Sequence, residues 1–209
     1  MKKIILISTL LIICISPSLF AKKSFGADLI VSLGAGIGFY HGDNDKQPNG
    51  GFEFGVYLEP NYYWEFSALY FGLSLEIGYQ RDIFAYKNEK LKGGLTFDSL
   101  ALGLMPKIDV SFLSIGFGGG VKLPLGGKSS SIDINGIPTL TQYDYNKLKE
   151  NFGKTLIIPY VKTSLDFMLL YNVGLGIYVA YDIPLMKSSD NSNITFSSFD
   201  VGGRIALRF

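Results

Sequence analysis

The chain has one candidate for acid–base chemistry, because His41 is its only histidine. Asp43 and Asp45 follow it closely and could orient an imidazole. An acyl-transfer enzyme would also need a nucleophile within hydrogen-bond reach of that imidazole. No serine is tied to His41 by sequence spacing, and no His-x-Ser motif occurs. We therefore interpret His41 as a solvated residue at the edge of a loop, and the sequence predicts no catalytic residue and no enzyme activity.

Three other patterns could suggest a ligand. The glycines of 34–38 and of 118–120 superficially resemble nucleotide-binding loops, but both lie within strand patterns that no helix follows. Asp43, Asp45 and Asp82 could hold a cation at a rim, although calcium-loop spacing is missing and solvated loops explain them as well. The sequence therefore predicts no cofactor and no metal site.

The other charged residues follow a regular spacing. In 69–80, Leu69, Leu73 and Ile77 alternate with Ser74, Glu76 and other small or polar residues. Side chains of a strand point to opposite faces with a period of two, so one face is apolar and the other carries the charges. We predict that these charges form a network inside a barrel, where acids and bases pair. Its members are Glu53, Glu76, Lys107, Lys122, Lys162, Asp166, Asp182, Asp200 and Arg204, with Arg208 as a further base.

Eight segments of this kind must position the charges. They are predicted at 28–41, 51–59, 67–81, 95–108, 113–123, 156–169, 173–183 and 194–209, and the connections between them alternate in length. The longest, 124–155, contains a turn signal at 135–136, interpreted as the tip of a small hairpin, and a short helix at 144–153. The predicted fold class is all-β: an eight-stranded antiparallel up-and-down transmembrane β-barrel with short turns at one end and longer loops at the other.

The apolar face favours lipid over water. None of the residues assigned to it is charged, and in water it would form a patch far larger than the roughly 300–600 Å² that a soluble monomer exposes. A closed barrel also pairs every backbone group, as lipid requires. The small lumen is expected to be filled, without an open pore. Aromatic residues should mark the two membrane interfaces: Tyr62, Tyr63, Trp64, Phe66, Phe112, Tyr171 and Phe209 at the end with the short turns, and Phe39, Tyr40, Tyr79 and Tyr181 at the other.

The N-terminal residues have the layout of a secretory signal peptide. Lys2 and Lys3 precede an apolar stretch, and Ala21 offers a cleavage position. This predicts a signal peptide at 1–21 and a barrel domain at 22–209. The net charge of +1 over 209 residues gives no basis for a nucleic-acid partner.

The last strand resembles the C-terminal assembly signal of bacterial outer-membrane barrels, through Gly202, Ile205, Leu207 and Phe209. With the alternation and the loop pattern, residues 22–209 resemble the small OmpA/OmpX-type barrels and the opacity-type, porin-like β-barrel domains. The resemblance implies a bacterial outer-membrane location with both termini periplasmic. It also implies contact with outer-membrane lipid and with the barrel assembly machinery.

For function, the resemblance implies a structural or surface-interaction role through the external loops. Loop 124–155 is then the candidate contact for an extracellular ligand. Two alternatives stay open: a narrow channel for small or hydrophobic solutes, and a lipid A-modifying barrel enzyme.

Overall fold

The computed structural model describes most of the predicted barrel domain. The described residues are 25–42, 45–66, 69–88, 91–133, 135–152, 156–170, 172–184 and 195–209. The predicted signal peptide at 1–21 lies outside them.

Within these ranges the chain forms nine strands and one helix. They are β1 (Phe25–His41), β2 (Gln47–Phe66), β3 (Leu69–Lys87), β4 (Leu91–Val110), β5 (Leu113–Asp133), β6 (Pro138–Tyr143), α1 (Tyr145–Phe152), β7 (Ile158–Leu170), β8 (Val173–Asp182) and β9 (Thr195–Arg208). Eight of the strands pair antiparallel in a closed ring, in the order β1-β2-β3-β4-β5-β7-β8-β9, with β9 returning to β1. The predicted eight-stranded up-and-down barrel is confirmed.

Strands β2 to β5 are much longer than a membrane needs. They contain 19 to 21 residues, whereas about 9–11 tilted residues span a bilayer. Pairing of β3 with β4 continues to Lys87 opposite Lys92, and pairing of β4 with β5 continues to Leu91 opposite Asp133. The predicted loop at 82–94 is therefore largely strand, and the predicted loop at 124–155 contains the end of β5, β6 and α1, because backbone pairing continues after the apolar alternation ends. We call the end of the barrel with these extensions the loop end, and the end with Phe25 and Phe209 the terminal end.

The segment after β5 folds back on it as a hairpin. β6 pairs with the outer part of β5, from Gly127 opposite Tyr143 to Ile132 opposite Pro138, so it occupies the position beyond the end of β7. Gly136 has a φ of 79° in the connection, a left-handed conformation that glycine adopts without strain. The hairpin predicted at 135–136 is confirmed.

Helix α1 also matches its prediction. Asp144 Oδ1 accepts a hydrogen bond from the backbone N–H of Lys147 at 2.9 Å, which makes Asp144 the N-cap. Leu148 and Phe152, four residues apart, lie on one face of the helix and are both buried. No helix among the described residues is long and apolar enough to cross a membrane.

The outward face of the ring is apolar. Leu33 is 53% exposed, Leu104 50% and Phe117 68%, and cross-strand pairs such as Val31–Ile205 and Leu175–Phe167 continue this surface around the barrel. Such a surface is stable in hydrocarbon.

The predicted aromatic interfaces are correct only in part. Tyr62, Trp64 and Phe112 are exposed at the terminal end. Tyr63 and Tyr40 point into the barrel instead, since they occupy inward positions of β2 and β1: Tyr63 contacts Arg208, and Tyr40 is 8% exposed. The side chains of Phe66 and Tyr171 lie outside the described residues.

Candidate functional site in the barrel lumen

The inward positions of the ring place all nine predicted network residues in the lumen, and each is buried. Small residues lie beside them on neighbouring strands. Gly118 pairs with Lys162, and Gly176 lies between Asp166 on β7 and Arg204 on β9. A Cβ at Gly176 would collide with Asp166 Oδ1, whereas a Cβ at Gly118 would collide with the backbone of β4. The small residues therefore allow long polar side chains to fill so narrow a barrel.

Near the terminal end, the Lys107 ammonium lies between two carboxylates. Its Nζ is 2.5 Å from Glu59 Oε2 and 3.2 Å from Asp28 Oδ2. All three side chains are at most 2% exposed. A buried charge is tolerated when it is paired in this way, so these contacts link β1, β2 and β4 across the lumen.

Two arginines of β9 extend this arrangement. Arg204 Nε is 2.9 Å from Asp166 Oδ1. Arg208 contacts Asp28 at 3.1 Å and Asp109 at 2.9 Å, and it donates a hydrogen bond to the Tyr63 hydroxyl at 3.1 Å. The inward side chains of β9, the last strand of the ring, thereby contact residues of β1, β2, β4 and β7.

In the middle of the lumen, Glu76 accepts two hydrogen bonds. Lys162 Nζ donates to Oε2 and the Tyr160 hydroxyl donates to Oε1, both at 2.5 Å. The Lys162 ammonium also lies 4.2 Å from the ring centroid of Tyr57, a distance at which a cation–π interaction is favourable. This part of the lumen holds one carboxylate and one ammonium and is balanced in charge.

Toward the loop end, the buried carboxylates outnumber the buried ammonium groups among the described residues. Lys122 Nζ is 2.7 Å from Asp82 Oδ1, 2.7 Å from Asp182 Oδ1 and 3.7 Å from Asp200 Oδ2. Glu53 is fully buried in the same region, and its carboxylate lies with those of Asp82 and Asp200. Four carboxylates thus share one ammonium. We call Glu53, Asp82, Asp182 and Asp200 the acidic cluster.

An aromatic layer covers the acidic cluster at the loop end. Its buried residues come from several strands, from α1 and from the chain before β7, and they are Tyr40, Phe84, Phe97, Leu148, Phe152, Leu156, Ile158 and Phe196. Phe152 of α1 lies 5.5 Å from Phe97 and 5.8 Å from Phe196 between ring centroids. We call this layer the aromatic cap. It is one inward position above the acidic cluster on β3, where Phe84 follows Asp82.

Four inward carboxylates were missed or misplaced by the sequence reasoning. The predicted network does not include Asp28, Glu59 and Asp109, and the sequence predicts Asp82 as a rim residue in a loop. Asp82 is in fact 0% exposed and contacts Lys122, because β3 continues past residue 81. The alternation itself gives the available signal: Asp82 and Glu59 keep the inward parity of Glu76 and Glu53.

The structure brings His41 to a serine that spacing did not reveal. His41 Nε2 is 2.8 Å from Ser197 Oγ, although 156 positions separate them. Both occupy outward positions at the loop end, where β1 pairs with β9. Ser197 is 0% exposed, so its hydroxyl is covered rather than presented to a substrate.

The residues of the predicted assembly signal lie where β9 closes the ring. Ile205 is 46% exposed toward the outside, and Leu207 pairs with Leu29 and Val173. Gly202 pairs with Gly34, and a side chain on it would collide with the β1 backbone. Phe209 exchanges backbone hydrogen bonds with Ala27, at 2.8 and 3.2 Å.

Solved structures similar to this chain include three small barrels. Neisserial surface protein A is 16% identical over 87% of this chain and 97% of that chain, with a TM-score of 0.46. The attachment invasion locus protein Ail of Yersinia pestis is 14% identical over 88% and 99%, with a TM-score of 0.40. The N-terminal β-barrel domain of Pseudomonas aeruginosa OprF is 12% identical over 88% and 99%, with a TM-score of 0.42. No protein-family model and no curated protein sequence matches the chain. By its own closed ring of eight strands, apolar exterior and charged interior, the chain is a small β-barrel of the outer-membrane type.

Proposed function

We propose that this protein is a closed barrel of the bacterial outer membrane that presents a contact surface to the exterior and is not an enzyme. The apolar outer face supports the membrane location, because lipid is the solvent in which Leu104 and Phe117 are stable at half exposure or more. The turns at the terminal end are short and the extensions at the loop end are long, which supports periplasmic termini and an external loop end.

The observation that carries this proposal is the filled lumen. Paired charges occupy the barrel from Arg208 to Lys122, and the aromatic cap covers the loop end. A solute would have to displace Phe97 and Phe152 and then separate buried ion pairs. This supports a barrel without a conducting pore, and the channel alternative predicts the opposite result in planar bilayers.

The unit formed by outer β5, β6 and α1 is the proposed contact surface. β6 exposes Leu140 at 60%, and the preceding connection exposes Ile137 at 61%. Among the described strands β6 pairs only with β5, which leaves its other edge open. An open edge with exposed apolar side chains suits an extended segment of an extracellular protein, because main-chain pairing gives affinity and side-chain contacts give specificity.

Orientation is tested by labelling single cysteines on intact cells. The predicted mature chain, 22–209, contains no cysteine, so Lys149→Cys on α1 and Ser111→Cys in the turn between β4 and β5 can be compared directly. A membrane-impermeant maleimide should label Lys149→Cys on intact cells and Ser111→Cys only after permeabilisation. Labelling of Ser111→Cys alone on intact cells would contradict the proposed orientation.

Conductance and contact need separate assays. We expect the purified protein to be silent in planar bilayers, and reproducible unitary conductance would refute the closed lumen. For contact, adhesion of cells to a panel of matrix-protein coatings should be lost in Leu140→Asp and kept in Lys87→Asp, which lies at the tip of β3 and is separated from β6 by β4 and β5. Equal adhesion of the two variants would remove β6 from the contact surface.

One observation favours a second candidate, the lipid A-modifying enzyme. The His41–Ser197 contact of 2.8 Å places a base beside a hydroxyl on the outward face near the loop end. Complete burial of Ser197 opposes it, since a nucleophile must reach its substrate. Cells that carry His41→Ala should therefore have the same lipid A as cells with the unchanged protein, and an altered acylation pattern would favour the enzyme.

A further inference from the structure

We propose that the acidic cluster binds one hard divalent cation inside the lumen, with Glu53, Asp82 and Asp200 as ligands. One carboxylate oxygen from each of these residues lies within 4.8 Å of the other two. Oxygens at such separations can share one Ca²⁺, whose oxygen ligands lie about 2.3–2.6 Å from the ion. The donors are all oxygen, as hard cations prefer.

The charge of the cluster supports the same conclusion. Lys122 is the one ammonium that contacts the cluster among the described residues, and its short contacts are to Asp82 and Asp182. Asp200 is 3.7 Å from it. When ionised, four buried carboxylates beside a single ammonium carry more negative than positive charge. A buried charge requires a partner, and a divalent cation would supply it.

Glu53 provides an independent observation. Its Oε1 accepts a hydrogen bond from the backbone N–H of Ile83 at 3.0 Å. Its Oε2 is buried and has no hydrogen-bond partner among the described residues, while the side chain as a whole is 0% exposed. A carboxylate that is held at one oxygen and unpartnered at the other, inside a cluster of acids, has the arrangement of a metal ligand.

The backbone of β1 makes room for this carboxylate. A Cβ at Gly36 would collide with Glu53 Oε1 and would come within 3.0 Å of Asp200 Oδ1. Oxygens Oδ2 of Asp82 and Asp200 are likewise buried without a hydrogen-bond partner. The Ser198 hydroxyl lies 2.6 Å from Asp200 Oδ1 and 3.1 Å from Asp182 Oδ2, and its one O–H can donate to only one of these carboxylates at a time. The three ligands thus come from β2, β3 and β9, and the aromatic cap separates them from the exterior.

The test measures metal directly. The protein is purified from membranes in detergent, unfolded in urea with EDTA, and refolded by dilution with either CaCl₂ or MgCl₂. After removal of free ions, elemental analysis should find about one divalent ion per barrel, well above a detergent-only control. The variant Glu53→Gln should lose at least nine-tenths of this metal, while Glu150→Gln, an exposed carboxylate of α1, should keep it.

Two results would overturn the proposal. One is an absence of bound ion from the refolded, unchanged protein in both salts. The other is equal loading of Glu53→Gln and Glu150→Gln. If Glu53→Gln does not fold, as judged by its gel mobility before and after boiling, Asp200→Asn replaces it with the same expected loss. Unchanged loading in Asp200→Asn would exclude the acidic cluster as the site.

Discussion

Lys122 offers the most sensitive test of the lumen, because among the described residues it is the one ammonium that contacts the acidic cluster. Its side chain is 1% exposed and lies 2.7 Å from both Asp82 and Asp182. Removing one partner of a buried ion pair costs about 3–5 kcal/mol. Lys122→Met keeps most of the side-chain volume and removes only the charge, so it should lower the free energy of unfolding by at least about 3–5 kcal/mol. This is a large fraction of the stability of a typical domain, about 5–15 kcal/mol.

The assay is equilibrium unfolding by urea in lipid vesicles with EDTA present. Trp64 is the only tryptophan and is 46% exposed on the outward face, so its emission reports departure from lipid. Lys128→Met is the matched control, since Lys128 lies on the same strand and is exposed. We expect the control to change the free energy of unfolding by no more than about 0.5 kcal/mol.

A second substitution separates charge from packing. Adding Asp182→Asn to Lys122→Met removes one of the carboxylates left without a partner, so the double variant should be more stable than Lys122→Met alone. The coupling between contacting residues is expected at about 0.5–3 kcal/mol. Equal free energies of unfolding for Lys122→Met and Lys128→Met would refute the reasoning, because the lumen charges would then contribute nothing measurable.

Three further substitutions test other parts of the molecule. Leu104→Arg places a cation on the lipid face and should cost about 2–4 kcal/mol in the same vesicle assay, whereas a cost near zero would mean that this face does not meet hydrocarbon. Phe152→Ala removes the α1 ring from the aromatic cap and should cost about 3–5 kcal/mol of local stability, measured as faster amide hydrogen exchange in residues 145–152; unchanged exchange would show that the cap does not hold the helix. His41→Ala should remove the hydrogen bond to Ser197 and leave the buried Ser197 hydroxyl without this partner, at a cost of about 1–3 kcal/mol, and a larger loss of stability would reveal a wider structural role.

The faces of the strands could be predicted from sequence because a strand has only two of them. Once Leu73 and Ile77 are assigned to lipid, Glu76 must point inward, and the same alternation within β4 and β7 places Lys107 and Lys162 in the lumen. Along each strand the inward positions are also the charged positions, at every second residue. A shift of one residue in the assignment would therefore place charged side chains in lipid. This is why the predicted network residues all lie inside.

Strand ends could not be predicted in the same way. Pairing continues beyond the membrane wherever two backbones stay adjacent, and polar residues such as Asp82 do not interrupt it. The strand predicted at 51–59 ends before Pro60, whereas β2 continues to Phe66. Pro60 has no backbone N–H to donate. The pairing of β2 with β3 is therefore interrupted at Glu59 and Pro60, and it resumes at Asn61.

Contacts across the seam between β1 and β9, where the ring closes, could not be predicted from the sequence either. His41 and Ser197 meet only because β1 pairs with β9 in one particular register. That register follows from the number of strands and the stagger of the whole ring, which no local pattern encodes. The same holds for the acidic cluster, whose members come from four different strands.

The pairing of β1 with β9 has a consequence for the order of assembly. Asp28 and Arg208 are 180 positions apart in the sequence but in contact in the fold. The edge of β1 that pairs with β9 therefore has no partner strand until β9 has been synthesised. During this interval both edges of the sheet expose N–H and C=O groups that hydrocarbon cannot satisfy. Insertion into the bilayer and joining of this seam must therefore proceed together. The ion pairs of Arg208 with Asp28 and Asp109 form only when the ring is closed, so they stabilise the joined seam and not the open sheet.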